Sequence, residues 1–421
     1  VGEFYTISDG KLRLNLHPGQ ARTWDSTRRF TFMLAGSQGG KTALGPWWLW
    51  REITKRGPGD YLAVTASYDL FKLKMLPELR TVLENVLHIG RYWAGERIIE
   101  ICEGARRGAP FRAKTSSDPM WGRIILRSAE SGGGLESATA QAAWLDECGQ
   151  DSFTLETWEA VQRRLSLTQG PVLGTTTLYN LGWLKSEAYD RWRDGDPDTE
   201  IVQFASYVNP AFPRVEYDRM ADRMQGWRFA MFYRGEFAKP GGLIYGDFTD
   251  AMLVDPRPIP HDWRTVVGVD FGGVNQASVW LSEDPETSIW YVWHETLEGG
   301  LTSSEHLAKA QALATGYTDL AAVGGAKSES QQRRDWGYWV QEPPLDDVEA
   351  GIDRGVALVK TNRLRVFRTC RGFRDELGTY SRKLDAAGNP TDEILDKRKF
   401  HRLDAYRYAA TVIESGSVHF G

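Results

Sequence analysis

Short apolar runs that stop abruptly at glycine, hydroxyl or acidic residues recur along this chain. That is the pattern of strands buried on both faces rather than of half-exposed ones. The first, Phe30 to Ala35, leads directly into Gly36-Ser37-Gln38-Gly39-Gly40-Lys41-Thr42 and then into the apolar stretch Ala43 to Ile53, which predicts a helix. Tyr61–Ala66 and Arg123–Ser128 predict further strands. Ala140–Leu145 predicts another, ending at Asp146-Glu147, and Pro171–Thr177 one more, ending in hydroxyl residues. A short helix-like segment at His17-Pro18-Gly19-Gln20 precedes the first strand.

The second half has a different rhythm. Thr265–Asp270 predicts a strand closed by an acid, and Ala277–Leu281 and Ile289–Trp293 follow it as an antiparallel start. A helix over Ser303–Ala314 leads to a buried strand at Leu320–Val323, and Arg363–Phe367 alternates as a last short strand. Helical periodicity from Phe400 to Ile413 sets His401, Asp404 and Tyr408 three and four residues apart, so His401 and Asp404 share a face. The proline-rich stretch from Lys239 to Asp262 marks a boundary.

Length and charge narrow the field. At 421 residues the chain suggests about two or three domains. A net charge of −5 excludes a wholly basic body and leaves local basic stripes open. Residues 1–250 carry 31 basic and 31 acidic side chains, so residues 251–421, with 20 and 25, supply the whole −5. Inside that acidic half, Arg354 to Lys383 holds nine basic residues against two acidic ones, which reads equally as a solvated face or as a footprint for a polyanion. No apolar run approaches bilayer length, and the first residues do not read as a signal peptide. Three scattered cysteines exclude a disulfide scaffold and a CxxC metal site, as in a reducing compartment.

The strand, glycine-rich loop and helix around Lys41 have the order that a phosphate cradle requires. Small residues let backbone N–H groups curve around an anion, and the helix start adds positive potential. Lys41 is placed to reach the β- and γ-phosphates and Thr42 to offer a hydroxyl to Mg²⁺, although Ala35 replaces the motif's first glycine. Asp146 is expected to join the Mg²⁺ shell and Glu147 to orient the attacking water. The Thr175–Thr177 hydroxyls are expected to sense the γ-phosphate. The Gln20 amide fits the edge of an adenine, or else an ordinary helix-capping turn. Asp270 and Asp404, with His401, offer hard ligands for Mg²⁺ or Mn²⁺ at a phosphodiester; a turn carboxylate and a surface histidine are the plainer alternative.

Taken together, these residues resemble the large terminase subunit of tailed bacteriophages. His17–Gln20 is similar to the family's adenine-binding region, Gly36–Thr42 to Walker A, Trp144–Glu147 to Walker B with the catalytic glutamate, and Thr175–Thr177 to the coupling motif. Phe229 to Phe248 resembles the passage between domains. Val269-Asp270 and His401–Ala409 resemble the first and last acidic motifs of the nuclease. The resemblance implies an α/β chain with a P-loop (ASCE-type) ATPase domain at 1–208, a linker subdomain and connection at 209–262, and an RNase H-like nuclease domain at 263–421.

It further implies ATP-driven translocation of double-stranded viral DNA into a procapsid, with endonucleolytic cutting of concatemeric DNA. Gln20, Gly36, Ser37, Gln38, Gly39, Gly40, Lys41, Thr42 and Asp146 would hold ATP and Mg²⁺. Lys41, Glu147, Asp270 and Asp404 would be catalytic, and Asp270, His401 and Asp404 would hold Mg²⁺ or Mn²⁺ in the nuclease. The implied partners are duplex DNA, the portal of the procapsid, a small terminase subunit and further copies in a pentameric ring, the chain being a monomer in solution. The implied place is the host cytoplasm, docked transiently on the procapsid, with no membrane. A helicase-like ATPase whose C-terminal domain binds but does not cut DNA is the alternative.

Two departures sharpen the expectations. Gly324-Gly325 stands where the family carries a second nuclease aspartate, so either Glu329 or Glu295 reaches in, or the acid has been lost and the second metal is weakly held with the nuclease impaired; an aspartate at Gly325 is expected to increase Mn²⁺-dependent cleavage. Ser37 stands where a P-loop arginine is common, so Arg123 or Arg127 becomes the candidate trans arginine finger.

Overall fold

The computed structural model describes residues 4–118, 121–131, 139–272, 274–337, 339–345, 347–385 and 388–415. The chain divides into two compact α/β units, Val1–Lys239 and Pro240–Gly421. Residues 240–262 pair and pack within the second: Leu243 bridges to Ser381, Leu253–Val254 pairs with Leu364–Phe367, and Tyr245 and Met252 join its core.

The first unit is built on an eight-stranded sheet. In spatial order its strands are Thr199–Phe204, Phe30–Ala35, Val172–Thr176, Ala143–Asp146, Asp60–Thr65, Gly122–Ser128, Ile98–Ile101 and Gly90–Trp93. The first six run parallel and the last two antiparallel. The parallel strands are apolar without alternation because both faces are covered: Met33, Leu34, Ala35, Ala63, Val64, Trp144 and Leu145 have no exposed surface. The strand expected at 140–145 begins three residues later and includes Asp146, which stands opposite Thr175 in register.

The helix after the loop spans Lys41–Arg56 and lies close against the sheet at Gly45. A Cβ at Gly45 would stand 1.9 Å from the Trp144 ring, so only glycine lets the helix approach. That approach sets the start of the helix over the ends of the central strands.

The second unit has a seven-stranded sheet in the order Leu253–Val254, Leu364–Phe367, Ile289–Gly299, Asn275–Asp284, Thr265–Asp270, Leu320–Gly324 and Val340–Gln341. Thr265–Asp270, Asn275–Asp284 and Ile289–Gly299 form an antiparallel meander, and the flanking strands pair parallel. The helix His401–Ser415 crosses the strand Thr265–Asp270 at Gly268, where a Cβ would meet the Ala405 carbonyl oxygen at 1.9 Å. A glycine inside a strand marks such a close backbone approach. The contact seats the first turn of this helix, with His401 and Asp404, over the end of the strand that carries Asp270.

The basic run Arg354–Lys383 spans several elements. It is divided among the helix Val348–Lys360, the strand Leu364–Phe367, the helix Arg371–Thr379 and the strand Arg382–Leu384. Arg382 pairs with Glu349, Lys383 with Glu393 and Arg368 with Asp255.

Candidate active sites

The glycine-rich loop turns at the carboxyl end of Phe30–Ala35, where functional groups collect in parallel sheets. Its conformation is fixed by backbone bonds: Gly36 N donates to Phe204 O at 3.1 Å, Ser37 N to Phe232 O at 2.6 Å and Gly39 N to Gly36 O at 3.0 Å. Gln38 and Gly40 take positive φ, 60° and 75°, and Asn209 Nδ2 holds Gln38 O at 2.6 Å. The helix Lys41–Arg56 starts without a side-chain cap, so its first amides are left to an anion or water.

Lys41 is buried, and its ammonium donates to Ala35 O and Gly36 O, both at 3.1 Å, and to Thr177 Oγ1 at 2.8 Å. Burial pulls it below its ordinary range, against the attraction of Glu147 and Asp146. Asp146 is 1% exposed and accepts from Thr175 Oγ1 at 2.8 Å and, more loosely, from Thr42 Oγ1 at 3.3 Å. Burial first, and neighbouring Glu147 second, push its carboxyl up to about 7. A hard oxygen pair with a buried carboxylate held near neutrality fits a divalent cation, and the uncapped helix with its lysine fits the phosphates that such a cation accompanies.

Glu147 sits at φ 53°, a left-handed conformation rare for this residue type and costly where it occurs. Its amide donates to Thr175 O at 2.7 Å, while its Oε2 lies 3.4 Å from Thr177 N and 3.5 Å from both Thr176 Oγ1 and Tyr179 Oη. Thr177 therefore stands between Lys41 and Glu147, which the sequence did not show. Gln20 forms a capping box with His17 and donates from Nε2 to Gly40 O at 2.9 Å, so its amide is engaged at both ends, bracing the loop. Of the two arginines considered as trans fingers, Arg123 is held by both oxygens of Asp60, at 2.7 and 3.0 Å. Arg127 stands among Arg97 and Arg123, and burial pulls its guanidinium down.

In the second unit His401 Nδ1 meets Asp270 Oδ2 at 2.8 Å, and that bond raises the imidazole's proton affinity. Asp404 is raised by burial and by the charge of Asp270, although Arg407 Nε at 3.2 Å opposes the shift. Glu329 is raised by burial and by the charges of both Asp270 and Asp404. Three carboxylates thus repel one another around one strand end, a field that a cation would relieve. Among the described residues no three His, Cys, Asp or Glu side chains are grouped so as to cage a metal ion. Asp270, Asp404 and Glu329 supply the hard oxygen donors, and His401 the nitrogen, that a divalent cation would take.

The two substitutes for the missing acid separate cleanly. Glu295 is committed elsewhere, its oxygens accepting from Gly372 N at 2.8 Å and Phe373 N at 2.5 Å. Glu329 faces the site's field, with Oε2 also accepting from Ala326 N at 2.7 Å. Gly325 does lie beside Asp270, since its amide donates to Val269 O at 3.2 Å. An aspartate there meets an obstacle, however: φ is +75°, and a Cβ would stand 2.9 Å from the Phe271 ring and 3.1 Å from Arg333 Nη1.

This is a two-unit α/β protein with a lysine, hydroxyl and acid cluster in one unit and a carboxylate cluster in the other. No protein-family model and no curated protein matches the chain. Among solved structures it is similar to the large terminase of bacteriophage HK97, at 16% identity over 97% of each chain with a TM-score of 0.49. It is also similar to the large terminase of a thermophilic bacteriophage in complex with ATP-gamma-S, at 15% identity over 93% of this chain and 98% of that one, TM-score 0.45. The P22 large terminase nuclease domain matches 42% of this chain over 95% of its own length, at 20% identity and a TM-score of 0.34.

Proposed function

We propose that the chain is a large terminase subunit, an ATPase that moves double-stranded DNA into a viral procapsid and cuts it with its second unit. The observation that carries the reading is the convergence of Lys41, Thr42, Asp146, Glu147 and Thr177 at the ends of neighbouring parallel strands. One strand, Val172–Thr176, lies between the loop strand and the acid strand, the arrangement that the ASCE class of P-loop ATPases uses.

In this account the loop amides and Lys41 bind the ATP phosphates, and the Lys41 ammonium exchanges Thr177 Oγ1 for phosphate oxygens. Thr42 and Asp146 would hold Mg²⁺, which would supply charge neutralisation at the phosphates. Glu147 orients the attacking water, and releasing the lysine frees Thr177 to move the Thr175–Thr177 segment. A guanidinium from a neighbouring copy, Arg123 or Arg127, completes the charge around the leaving phosphate.

In the second unit, read as RNase H-like, Asp270 and Asp404 would hold the cation, with His401 steering Asp270 and Glu329 contributing charge. The partners are duplex DNA, the portal, a small terminase subunit and copies of the chain in a ring. Incubating supercoiled plasmid with Mn²⁺ tests the cutting half: nicking that is lost in Asp270→Asn supports it. The helicase-like alternative draws on one observation, the glycine at 325 beside Asp270, and robust strand unwinding without nicking would favour it.

A further inference from the structure

Glu376 is a buried carboxylate that the mechanism above does not use. It lies on the helix Arg371–Thr379 and faces the start of the helix His401–Ser415. Its Oε2 accepts from Leu403 N at 2.9 Å and its Oε1 from Arg402 Nη1 at 3.1 Å. On its other side Arg402 Nε approaches Glu295 Oε2 at 3.5 Å, and Glu295 in turn holds the first amides of the helix Arg371–Thr379. All three side chains are largely buried, with 7–14% of their surface exposed. Gly372 makes room for the guanidinium, since a Cβ there would lie 2.3 Å from Arg402 Cζ.

A buried carboxylate–guanidinium–carboxylate triad is a poor source of stability, because desolvating three charges offsets much of their attraction and apolar packing often does as well. Its geometry is the informative part. The two bonds to Glu376 fall on residues 402 and 403, between His401 and Asp404, and a carboxylate at a helix start satisfies orphan amides while complementing the dipole. Groups that orient metal-binding side chains from behind affect a metal site nearly as strongly as the ligands themselves.

We propose that Glu376 and Arg402 are positioning residues of the acidic site, fixing the first turn of the helix so that His401 and Asp404 meet Asp270. The proposal rests on the nuclease reading. It is tested in the full chain with Glu376→Gln, which keeps the shape, and Arg402→Lys, which keeps the charge but loses the fork. Three readouts are needed: hydrogen exchange of the peptide spanning residues 400–408, the Mn²⁺ dependence of plasmid nicking, and ATP turnover.

Both variants should exchange faster at that peptide and need roughly tenfold more Mn²⁺ for half-maximal nicking. Their rate should recover at saturating Mn²⁺, and ATP turnover should be unchanged. Parent-like protection together with a parent-like Mn²⁺ dependence overturns the proposal, as does a lowered rate that saturating Mn²⁺ does not restore. A parent protein that never nicks removes the nuclease reading; exchange then judges the clamp alone, and unchanged protection overturns it. Should Glu376→Gln fail to fold, Arg402→Lys carries the same readouts.

Discussion

Replacing Asp146 by asparagine should stabilise the nucleotide-free protein while abolishing the proposed ATP turnover. Asp146 is 1% exposed, and its carboxyl is raised from 3.8 to about 7, chiefly by burial. A difference of about three units, at 1.36 kcal/mol each, means that ionised Asp146 costs on the order of 4 kcal/mol in the fold. Between pH 4 and 7 the native state holds a proton that the unfolded chain has released, so this group's contribution falls as pH rises through that window, and the full penalty stands above pH 7. Asparagine keeps the oxygen that accepts from Thr175 Oγ1. It also removes a countercharge from Lys41, whose own charge burial already disfavours, so the net gain is smaller.

Without nucleotide or metal, Asp146→Asn should be more stable than the parent at pH 8 by ~2–4 kcal/mol, with the difference shrinking towards pH 5. Urea unfolding followed by hydrogen exchange of the strand Ala143–Asp146 reads the first unit separately. A variant no more stable than the parent at pH 8, or a difference that does not vary with pH, would refute the reasoning.

Other expectations are briefer. Asp270→Asn should suppress Mn²⁺-dependent nicking and spare ATP turnover in the same preparation; loss of both would mean a structural role. Thr177→Val removes the hydroxyl that occupies Lys41, so ATP binding measured by calorimetry should hold or tighten while turnover falls. Gly45→Ala pushes a methyl into the Trp144 ring and should destabilise the first unit by about 1–3 kcal/mol or more, read as a lowered unfolding midpoint.

Much of the architecture was legible in the chain because parallel strands buried on both faces leave uninterrupted apolar runs. Phe30–Ala35, Thr265–Asp270 and the helix at residues 401–415 fall where the pattern puts them, within a residue or two. The antiparallel strands Gly90–Trp93, at the sheet edge, and Ile98–Ile101, beside it, were not, because Arg91 and Glu100 interrupt their short apolar runs. The helix Arg371–Thr379 and the second half of the helix Val348–Lys360 lay inside a run read for its charge, and their apolar faces, Ile352 with Leu358 and Phe373 with Leu377, went unnoticed.

The candidate sites divide in the same way. Lys41, Asp146, Glu147 and Asp270 stand next to strand or loop ends, which local sequence marks. Thr177 against Lys41, Tyr179 near Glu147 and Glu376 under Leu403 are long-range pairings with no local signal. Gly268 offered the one hint of the helix crossing, a glycine inside an otherwise β-branched strand.

The most direct test of the whole account is phosphate release from ATP in the presence of duplex DNA, measured beside ATP binding for the parent and for Glu147→Gln. The parent should turn over, and the variant should bind ATP as tightly with turnover abolished. Rapid hydrolysis by the folded variant, or a parent that binds no ATP, would contradict the account.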